Sequence, residues 1–224
     1  MYKRQYNILK IYNFRRNSID ITLIVQLLFK NTFGYISLKK NIFSFFYKNK
    51  FEYNLNEYIS KTYIKMCLGQ LEEHYLKNRD MKNEILIIPG GSNDFKKYSL
   101  EKYLEIAEYY SDKFEIGIIL GKDMKDEIDL FKKYENKYNL YIGLELKKLE
   151  EIIKKSKLVI ANDCGPSHFA HIYDIPRISL FIGGDTHKHW FNPTKNSVLI
   201  QSIDKDINKI SIEKVLELAD KLLV

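Results

Sequence analysis

From residue 84 to the end of the chain, short apolar runs alternate with stretches whose apolar residues recur at helical spacing. Six of these runs are predicted strands: residues 85–88, 114–120, 140–142, 158–161, 177–182 and 198–203. Strands that alternate with amphipathic helices form a parallel sheet with helices on both faces, joined by right-handed crossovers. The pattern therefore predicts an α/β protein whose ligand lies beyond the carboxyl ends of the strands, where the strand order reverses.

Helices are predicted between and after these strands. Ser99 precedes the first of them, and a serine at this position accepts a hydrogen bond from the first helical turn. A short helix follows Pro166, because proline suits the first turn. The others are marked by apolar residues at helical spacing, namely Ile128, Phe131 and Tyr134; Leu146, Leu149, Ile152 and Ile153; and Ile212, Val215, Leu216, Ala219, Leu222 and Leu223.

The first 83 residues are less regular. Loose alternation over residues 6–13 predicts a strand, and apolar positions over residues 18–30 predict a helix. Residues 31–53 show no clean period and are expected to be an irregular or partly exposed segment, whereas residues 57–75 carry the apolar stripe of a helix. A polar run at 77–83 reads as a linker, so we predict two domains, residues 1–83 and 84–224.

The positive charge is concentrated in the N-terminal part. Residues 1–83 carry 15 Lys or Arg and 6 Asp or Glu, a net charge of +9, whereas residues 84–224 carry 21 and 23, a net −2. A basic, aromatic-rich segment suits nucleic acid, an anionic membrane face or an acidic glycolipid, but a solvated lysine-rich surface is the more common explanation. No nucleic-acid partner is therefore expected, and peripheral contact with the inner membrane face is left as an alternative.

Composition favours a folded cytoplasmic protein. Hydrophobic residues make up 45% of the 224, which is enough for a core. Cys67 and Cys164 lie far apart and match no metal spacing, which indicates a reducing compartment. No apolar run has the length of a membrane span, and the first residues lack the apolar core of a signal peptide.

Four loops follow predicted strands, at residues 90–97, 121–126, 162–168 and 183–189. We expect all four to line one crevice, since the carboxyl ends of parallel strands share one edge of the sheet. The first loop combines small residues with two lysines, and the third leads into a helix N-terminus. Glycines allow close approach of the backbone, and helix N-termini favour anions, so this arrangement suits a diphosphate.

Less specific interpretations exist for several of these residues. His168 resembles an ordinary core histidine, and Asp163 is a candidate cap for the helix near Pro166. His187 and His189 lack an acidic or cysteine partner at metal-ligand spacing, so a metal site is not predicted. The cysteines have no paired histidine in a catalytic arrangement, so a cysteine nucleophile is not predicted either.

Three segments resemble glycosyltransferase family 9, the heptosyltransferases of lipopolysaccharide core assembly. They are PGGSNDFKKYS, IILGKDMKDE and LEEIIKKSKLVIANDCGPSHFAHIYDIPRISLFIGG. The last contains Asp163, Gly165 and His168 at the spacing of the family's D-[ST]-G-x-x-H-x-A signature, with Cys164 in place of Ser or Thr. The resemblance implies a GT-B-like fold, a nucleotide-sugar donor such as ADP-heptose, and a glycolipid or oligosaccharide acceptor such as the lipopolysaccharide core.

The resemblance also implies roles for individual residues. Ser92 and Lys96 match the positions whose hydroxyl and ammonium groups contact the donor phosphates, although the following Trp-Pro of the family reads Tyr98-Ser99. Donor binding is expected at Ser92, Lys96, Asp163, Cys164, Gly165, Ser167 and His168, with backbone N–H groups near residues 164–167 holding the phosphates. One of Asp123, Asp126 and Glu127 is expected to contact the ribose. The resemblance implies no metal and no other cofactor.

The resemblance implies that the N-terminal domain is partial. Members of the family begin with a strand and a Gly-Asp loop whose aspartate is taken as the catalytic base, and no residue of 1–83 matches that base by motif. Asp20 is a guess, so the catalytic residue is unknown. The leading hypothesis is a heptosyltransferase-type enzyme. The alternatives are a non-catalytic nucleotide-sugar-binding remnant, one part of a split enzyme, or a basic protein that binds anionic surfaces.

Overall fold

The computed structural model describes residues 11–13, 32–36, 49–52, 57–58, 80–91, 93–122 and 124–224. The chain divides into two compact units, residues 1–73 and 74–224. The sequence places this boundary slightly later, after Asn83. The helix predicted at residues 18–30 lies outside the described residues, as does the one predicted at 57–75 apart from Glu57 and Tyr58, which are not helical.

The first unit contains a parallel three-stranded sheet. Its strands are β1 (Ile11–Asn13), β2 (Thr32–Ile36) and β3 (Asn49–Glu52), which pair in chain order. β1 lies within the predicted strand at 6–13. β2 and β3 correct the prediction that residues 31–53 are irregular. Strands of parallel sheets need not alternate between apolar and polar residues, so a search for period two misses them.

The described residues of the second unit form six strands and six α-helices. The strands are β4 (Glu84–Ile88), β5 (Glu115–Leu120), β6 (Asn139–Ile142), β7 (Leu158–Asn162), β8 (Arg177–Phe181) and β9 (Ser197–Gln201). The helices are α1 (Leu100–Tyr110), α2 (Lys125–Lys132), α3 (Leu146–Lys155), α4 (Ser167–Ile172), α5 (Thr186–Trp190) and α6 (Ile212–Leu223). All six strands predicted for this region are present, with shifted ends. The sequence does not predict α5 or the 3₁₀ turns Asp94–Lys96 and Ile207–Lys209.

All six strands are parallel, in the order β6-β5-β4-β7-β8-β9. The central strands β4, β7 and β8 are buried at every position, whereas the edge strand β6 is partly exposed. This burial explains why the central strands read as continuous apolar runs rather than as alternating ones.

Two apolar layers cover the sheet because successive strand residues point to opposite faces. Ile85 and Ile87 of β4 pack into the layer that contains α1, α2 and α6. Leu86 and Ile88 pack into the layer that contains α3 and α4. The helices on both faces fix the sheet, and so they fix the loops at its carboxyl edge. In the part of the chain that the structure describes, no helix is both long enough and apolar enough to span a bilayer.

Helix caps add local order near this edge. Ser99 Oγ accepts a hydrogen bond from the backbone N–H of Lys102 at the start of α1, which confirms the predicted cap. Ser211 does the same for Lys214 at the start of α6. Caps of this kind contribute about 0.5–2 kcal/mol each.

Candidate functional site

The strand order reverses at the centre of the sheet. From β4 the chain continues to β5 and β6 on one side, and from β7 to β8 and β9 on the other. A crevice of about 710 Å³ lies beyond the carboxyl ends of these strands, within the second unit. This is the position predicted for the ligand, and the volume is in the usual range of about 300–1,000 Å³ for small-molecule sites.

Two chemically different sets of residues line the crevice. The end of β4, the loops after β4 and β7, the first turn of α4 and the end of α5 provide Ile88, Gly90, Gly91, Lys96, Asp163, Cys164, Gly165, Pro166, His168 and Trp190. β5, the loops after β5 and β6, and helix α3 provide Ile119, Leu120, Gly121, Lys122, Met124, Gly143, Leu144 and Leu149. Since β5 and β7 lie on opposite sides of β4, the mainly polar and mainly apolar sets occupy different sides of the crevice.

Lys96 and Asp163 form an ion pair on the polar side. Lys96 Nζ lies 2.7 Å from Asp163 Oδ2, and the two side chains are only 17% and 11% exposed. Lys96 ends the 3₁₀ turn after β4, and Asp163 directly follows β7. The pair joins two predicted donor-binding residues that are 67 positions apart in sequence. The alternative that Asp163 caps α4 is wrong, because no side chain caps that helix.

The neighbouring lysine has a different partner. Lys97 Nζ lies 3.0 Å from Glu127 and 3.1 Å from Asp94, and hydrogen bonds to these carboxylates, Glu127 first, raise the pKa of Lys97. Neither Lys97 nor Glu127 is among the lining residues, and Asp126 is exposed on α2 outside the crevice. A ribose contact from Asp126 or Glu127 therefore stays a prediction. Ser92 and Asp123, predicted to contact phosphate and ribose, lie outside the described residues.

The loop between β7 and α4 is held by its own turns. The backbone N–H groups of Ser167 and His168 donate to the carbonyl oxygens of Cys164 and Gly165, at 3.2 and 3.1 Å. Two of the predicted phosphate donors are thus already used. No acceptor among the described residues takes the backbone N–H of Cys164 or Gly165, and both residues line the crevice. These two N–H groups are therefore the loop's candidate hydrogen-bond donors for an anion.

Asn162 fixes this loop against the rest of the site. It is fully buried at the end of β7. Its side-chain amide donates to the carbonyl oxygen of Pro89 at 2.7 Å, and its Oδ1 accepts from the Tyr103 hydroxyl at 2.7 Å and from the Tyr98 backbone N–H at 3.2 Å. Asn162 therefore ties the loop after β7 to the loop after β4 and to α1. The sequence predicts only a turn at this position.

His168 is a lining residue rather than a core histidine. It is half-buried, and its ring centroid lies 6.1 Å from that of Trp190. Burial, followed by the positive charge of Arg177, lowers the pKa of His168 to about 4, although Asp163 acts in the opposite direction. The imidazole is therefore neutral near pH 7 and offers one N–H donor and one acceptor.

Cys164 shows no sign of nucleophilic activation. Burial raises the pKa of its thiol to about 12. A reactive cysteine needs the opposite shift, because the thiolate is the nucleophile. This agrees with the prediction that the cysteine is not catalytic. Its neighbour Ser167 is buried, and the Ser167 hydroxyl donates to the Cys164 carbonyl oxygen at 2.7 Å. Ser167 thus supports the loop and does not line the crevice.

The prediction that residues 183–189 line the crevice is wrong. None of them does, and the next residue, Trp190, takes that place. The Gly183 backbone N–H donates to Asp204 O at 2.6 Å and to Ser202 Oγ at 3.0 Å, so the chain is held against the segment after β9. The loop after β6, with Gly143, is a contributor that the sequence does not reveal, because the short strand before it is weakly marked.

The sequence singles out neither Arg177 nor Lys122 as a site residue, although Lys122 lies in the predicted loop at residues 121–126. Arg177 is a charged residue that starts an apolar run, and it is buried behind α4. Lys122 lies on the apolar side, where a Cβ at Gly143 would come within 2.5 Å of its Cγ. Within the described ranges, no cluster of three or more His, Cys, Asp or Glu has the geometry of a metal site.

Residues 15–219 match glycosyltransferase family 9 (heptosyltransferase). The chain belongs to this family. A curated relative is lipopolysaccharide heptosyltransferase 1 of Campylobacter coli, which is 24% identical over 91% of this chain and 73% of its own length. Family membership supports a role as a glycosyltransferase of lipopolysaccharide biosynthesis.

Solved structures of the family share the fold. E. coli ADP-heptose LPS heptosyltransferase II has a TM-score of 0.82 at 14% identity, over 99% of this chain and 78% of its own. E. coli heptosyltransferase WaaC with ADP has a TM-score of 0.74 at 14% identity, over 96% and 73%. A family 9 glycosyltransferase from Veillonella parvula has a TM-score of 0.76 at 16% identity, over 96% and 73%. These similarities confirm the predicted GT-B-like α/β fold.

Proposed function

We propose that the crevice of the second unit binds a nucleotide sugar of the ADP-heptose type, and that the chain transfers the sugar to a lipopolysaccharide core or related glycan. The observation that carries the proposal is the division of one crevice into a side with the Lys96–Asp163 ion pair and hydrogen-bond donors and a mainly apolar side. A nucleoside diphosphate has the same division, with a charged diphosphate and a flat base. Two structures of WaaC, solved with ADP and with ADP-2-deoxy-2-fluoro heptose, support the choice of nucleotide.

On the polar side, three kinds of group suit the diphosphate. The Lys96 ammonium group is held at the crevice by Asp163. The backbone N–H groups of Cys164 and Gly165 add neutral donors. Gly90 and Gly91, in the loop after β4, let the phosphates approach the backbone of that loop closely. A side chain at Gly165 would meet nothing within 4 Å, so the loop leaves open space there. Charge-assisted hydrogen bonds from such groups contribute about 1.5–3 kcal/mol each.

The apolar side suits the base. Ile119, Leu120, Leu144 and Leu149 line it. The sulfur of Met124 accepts a hydrogen bond from the Gly121 backbone N–H at 3.2 Å, which fixes the methionine side chain at the N-terminus of α2. Burying a ring against these side chains contributes about 25 cal/mol for each Å² removed from water.

For transfer, the site stabilises the leaving group. When the bond between the sugar and the diphosphate breaks, negative charge grows on the phosphate oxygen. Lys96 and the two backbone N–H groups are positioned to stabilise that charge without reorganisation. His168, neutral near pH 7, is able to donate a hydrogen bond there without losing a proton. The acceptor hydroxyl needs a base on the opposite face of the sugar.

The first test is binding. ADP is titrated into the purified chain, and heat and the fluorescence of Trp190, the single tryptophan, are recorded. We expect Lys96→Ala to weaken ADP binding about 10- to 100-fold, with less effect on adenosine. Lys132→Ala is the matched control, because this lysine is exposed on α2 away from the crevice. If the wild type binds no ADP, the proposal is wrong.

The second test is transfer. The chain is incubated with ADP-heptose and a heptose-free lipopolysaccharide core acceptor, and the product is detected by mass spectrometry. Transfer that is lost in Lys96→Ala supports the enzyme. Nucleotide binding without transfer would instead support the alternative of a non-catalytic binding protein or one part of a split enzyme.

A further inference from the structure

Arg177 is the largest fully buried side chain of the described residues, with 1% exposure. It starts β8, and its guanidinium group bonds to three separate segments. Nη1 donates to the Ser167 carbonyl oxygen at 3.0 Å, Nη2 to that of Asn192 at 3.4 Å, and Nε to Ser197 Oγ at 3.0 Å. One side chain thus joins α4, the segment after α5, and β9.

Two of those segments lie next to residues on the polar side of the crevice. Ser167 directly precedes His168, and Asn192 lies two residues after Trp190. His168 and Trp190 both line the crevice. The guanidinium carbon also lies 4.8 Å from the centre of the Phe191 ring, a cation–π contact that holds the same segment. The arginine therefore fixes the backbone on both sides of the contact between His168 and Trp190.

The positive charge of Arg177 also reaches the crevice. It lowers the pKa of His168, adding to the larger effect of burial. It also lowers the pKa of the Cys164 thiol, which opposes the larger rise caused by burial. A buried charge is weakly screened by salt, so it acts on a nearby anion more strongly than a surface lysine does. Burying an arginine costs several kcal/mol of desolvation, which an apolar side chain in this strand would avoid.

We propose that Arg177 is a positioning residue for the diphosphate, which it attracts from beneath the loop after β7 while it fixes the wall that carries His168 and Trp190. The inference rests on the proposed function, because it takes the crevice to hold a nucleoside diphosphate. Arg177 itself does not line the crevice, so it acts through the loop and through its field.

The test compares Arg177→Met, which removes the charge, with Arg177→Lys, which keeps the charge but loses the planar fork of donors. ADP, pyrophosphate and adenosine are titrated into each protein. Arg177→Met is expected to weaken ADP and pyrophosphate about tenfold or more, and adenosine less than about twofold. Arg177→Lys is expected to recover part of the pyrophosphate binding. Proton NMR of His168 gives a second readout, since its pKa is expected to rise in Arg177→Met and to stay low in Arg177→Lys.

Glu84→Gln is the matched control for loss of a buried charge. Glu84 is 1% exposed at the amino end of β4, where it accepts from Asn139 and Tyr141. It is expected to lower stability and leave ADP binding unchanged. Unchanged ADP binding and an unchanged His168 pKa in folded Arg177→Met would overturn the proposal, as would an equal loss of adenosine and pyrophosphate binding. If Arg177→Met does not fold, nucleotide binding by Arg177→Lys decides: ADP and pyrophosphate binding equal to that of the wild type, or a loss of adenosine binding as large as that of pyrophosphate binding, would overturn the proposal. Absence of ADP binding in the wild type overturns the proposed function, and this inference with it.

Discussion

Replacing Asn162 with leucine is expected to destabilise the second unit and to disorganise the crevice. Leucine has a similar size but no polar atoms. It would leave the Pro89 carbonyl oxygen, the Tyr103 hydroxyl and the Tyr98 backbone N–H without their present partner. Each buried polar group left unsatisfied costs about 1–3 kcal/mol. Three of them give a loss of about 3 kcal/mol or more, against a total stability of about 5–15 kcal/mol for a domain.

The assay is urea denaturation followed through Trp190, which lies in this unit and is the single tryptophan of the chain. Tyr103→Phe is the control, because it removes one hydrogen bond while Asn162 Oδ1 keeps the Tyr98 N–H. We expect that variant to lose about 1 kcal/mol. ADP binding should weaken in Asn162→Leu, since Asn162 joins the two loops of the polar side. A loss no larger than that of Tyr103→Phe would refute the idea that Asn162 satisfies three buried groups.

Three further predictions concern single residues of the same unit. The imidazole of His168 should titrate near pH 4 in the folded protein, as measured by NMR. The free energy of unfolding should decrease as pH falls from about 6.5 towards 4, because the unfolded chain binds this proton at a higher pH than the folded chain does. An NMR titration midpoint near 6.5 would contradict this. Gly183→Ala should lower the melting temperature, since its Cβ would lie 2.4 Å from the Asp204 backbone oxygen, whereas Gly165→Ala should melt close to wild type because nothing lies within 4 Å. The Cys164 thiol, with a pKa of about 12, should react with iodoacetamide at pH 7.5 about 100-fold more slowly in the folded protein than in the protein unfolded in urea. The rates are measured by mass spectrometry after the other cysteine is replaced with serine. Equal rates in the two states would contradict burial of the thiol.

The sequence predicts most of the second unit because its strands and its other helices carry local signals, which α5 and the two 3₁₀ turns lack. Buried strands appear as apolar runs, and Ser99 marks the start of α1 through its own cap. The position of the crevice follows from the parallel sheet alone. The strands at residues 32–36 and 49–52 carry no such signal, because their residues are mixed in polarity and the pairing that defines them comes from distant segments.

Side-chain partners are harder to predict than elements. Asn162 has the composition of a turn residue, yet its role depends on Pro89 and Tyr103, which come from other strands and helices. Trp190 lines the crevice, whereas Gly183 is held against Asp204 by a contact between two loops that no sequence spacing encodes. In the sequence, Arg177 has only the pattern of a polar residue at the start of a strand. Its hydrogen bond to the Ser167 carbonyl oxygen depends on the fold, which brings α4 next to β8.

The ion pair between Lys96 and Asp163 shows why such long-range partners matter for function. The pair forms because β4 and β7 are neighbours, which brings the loops after them together. Asp163 holds Lys96 in place, but its carboxylate also offsets most of the lysine's charge. On the proposed function, further attraction for a diphosphate would come from other groups: the backbone N–H groups of Cys164 and Gly165, the Lys122 side chain, and the buried charge of Arg177. The motif residues would then fix the geometry of the site, while a residue outside the motif would supply part of the electrostatic attraction for the ligand.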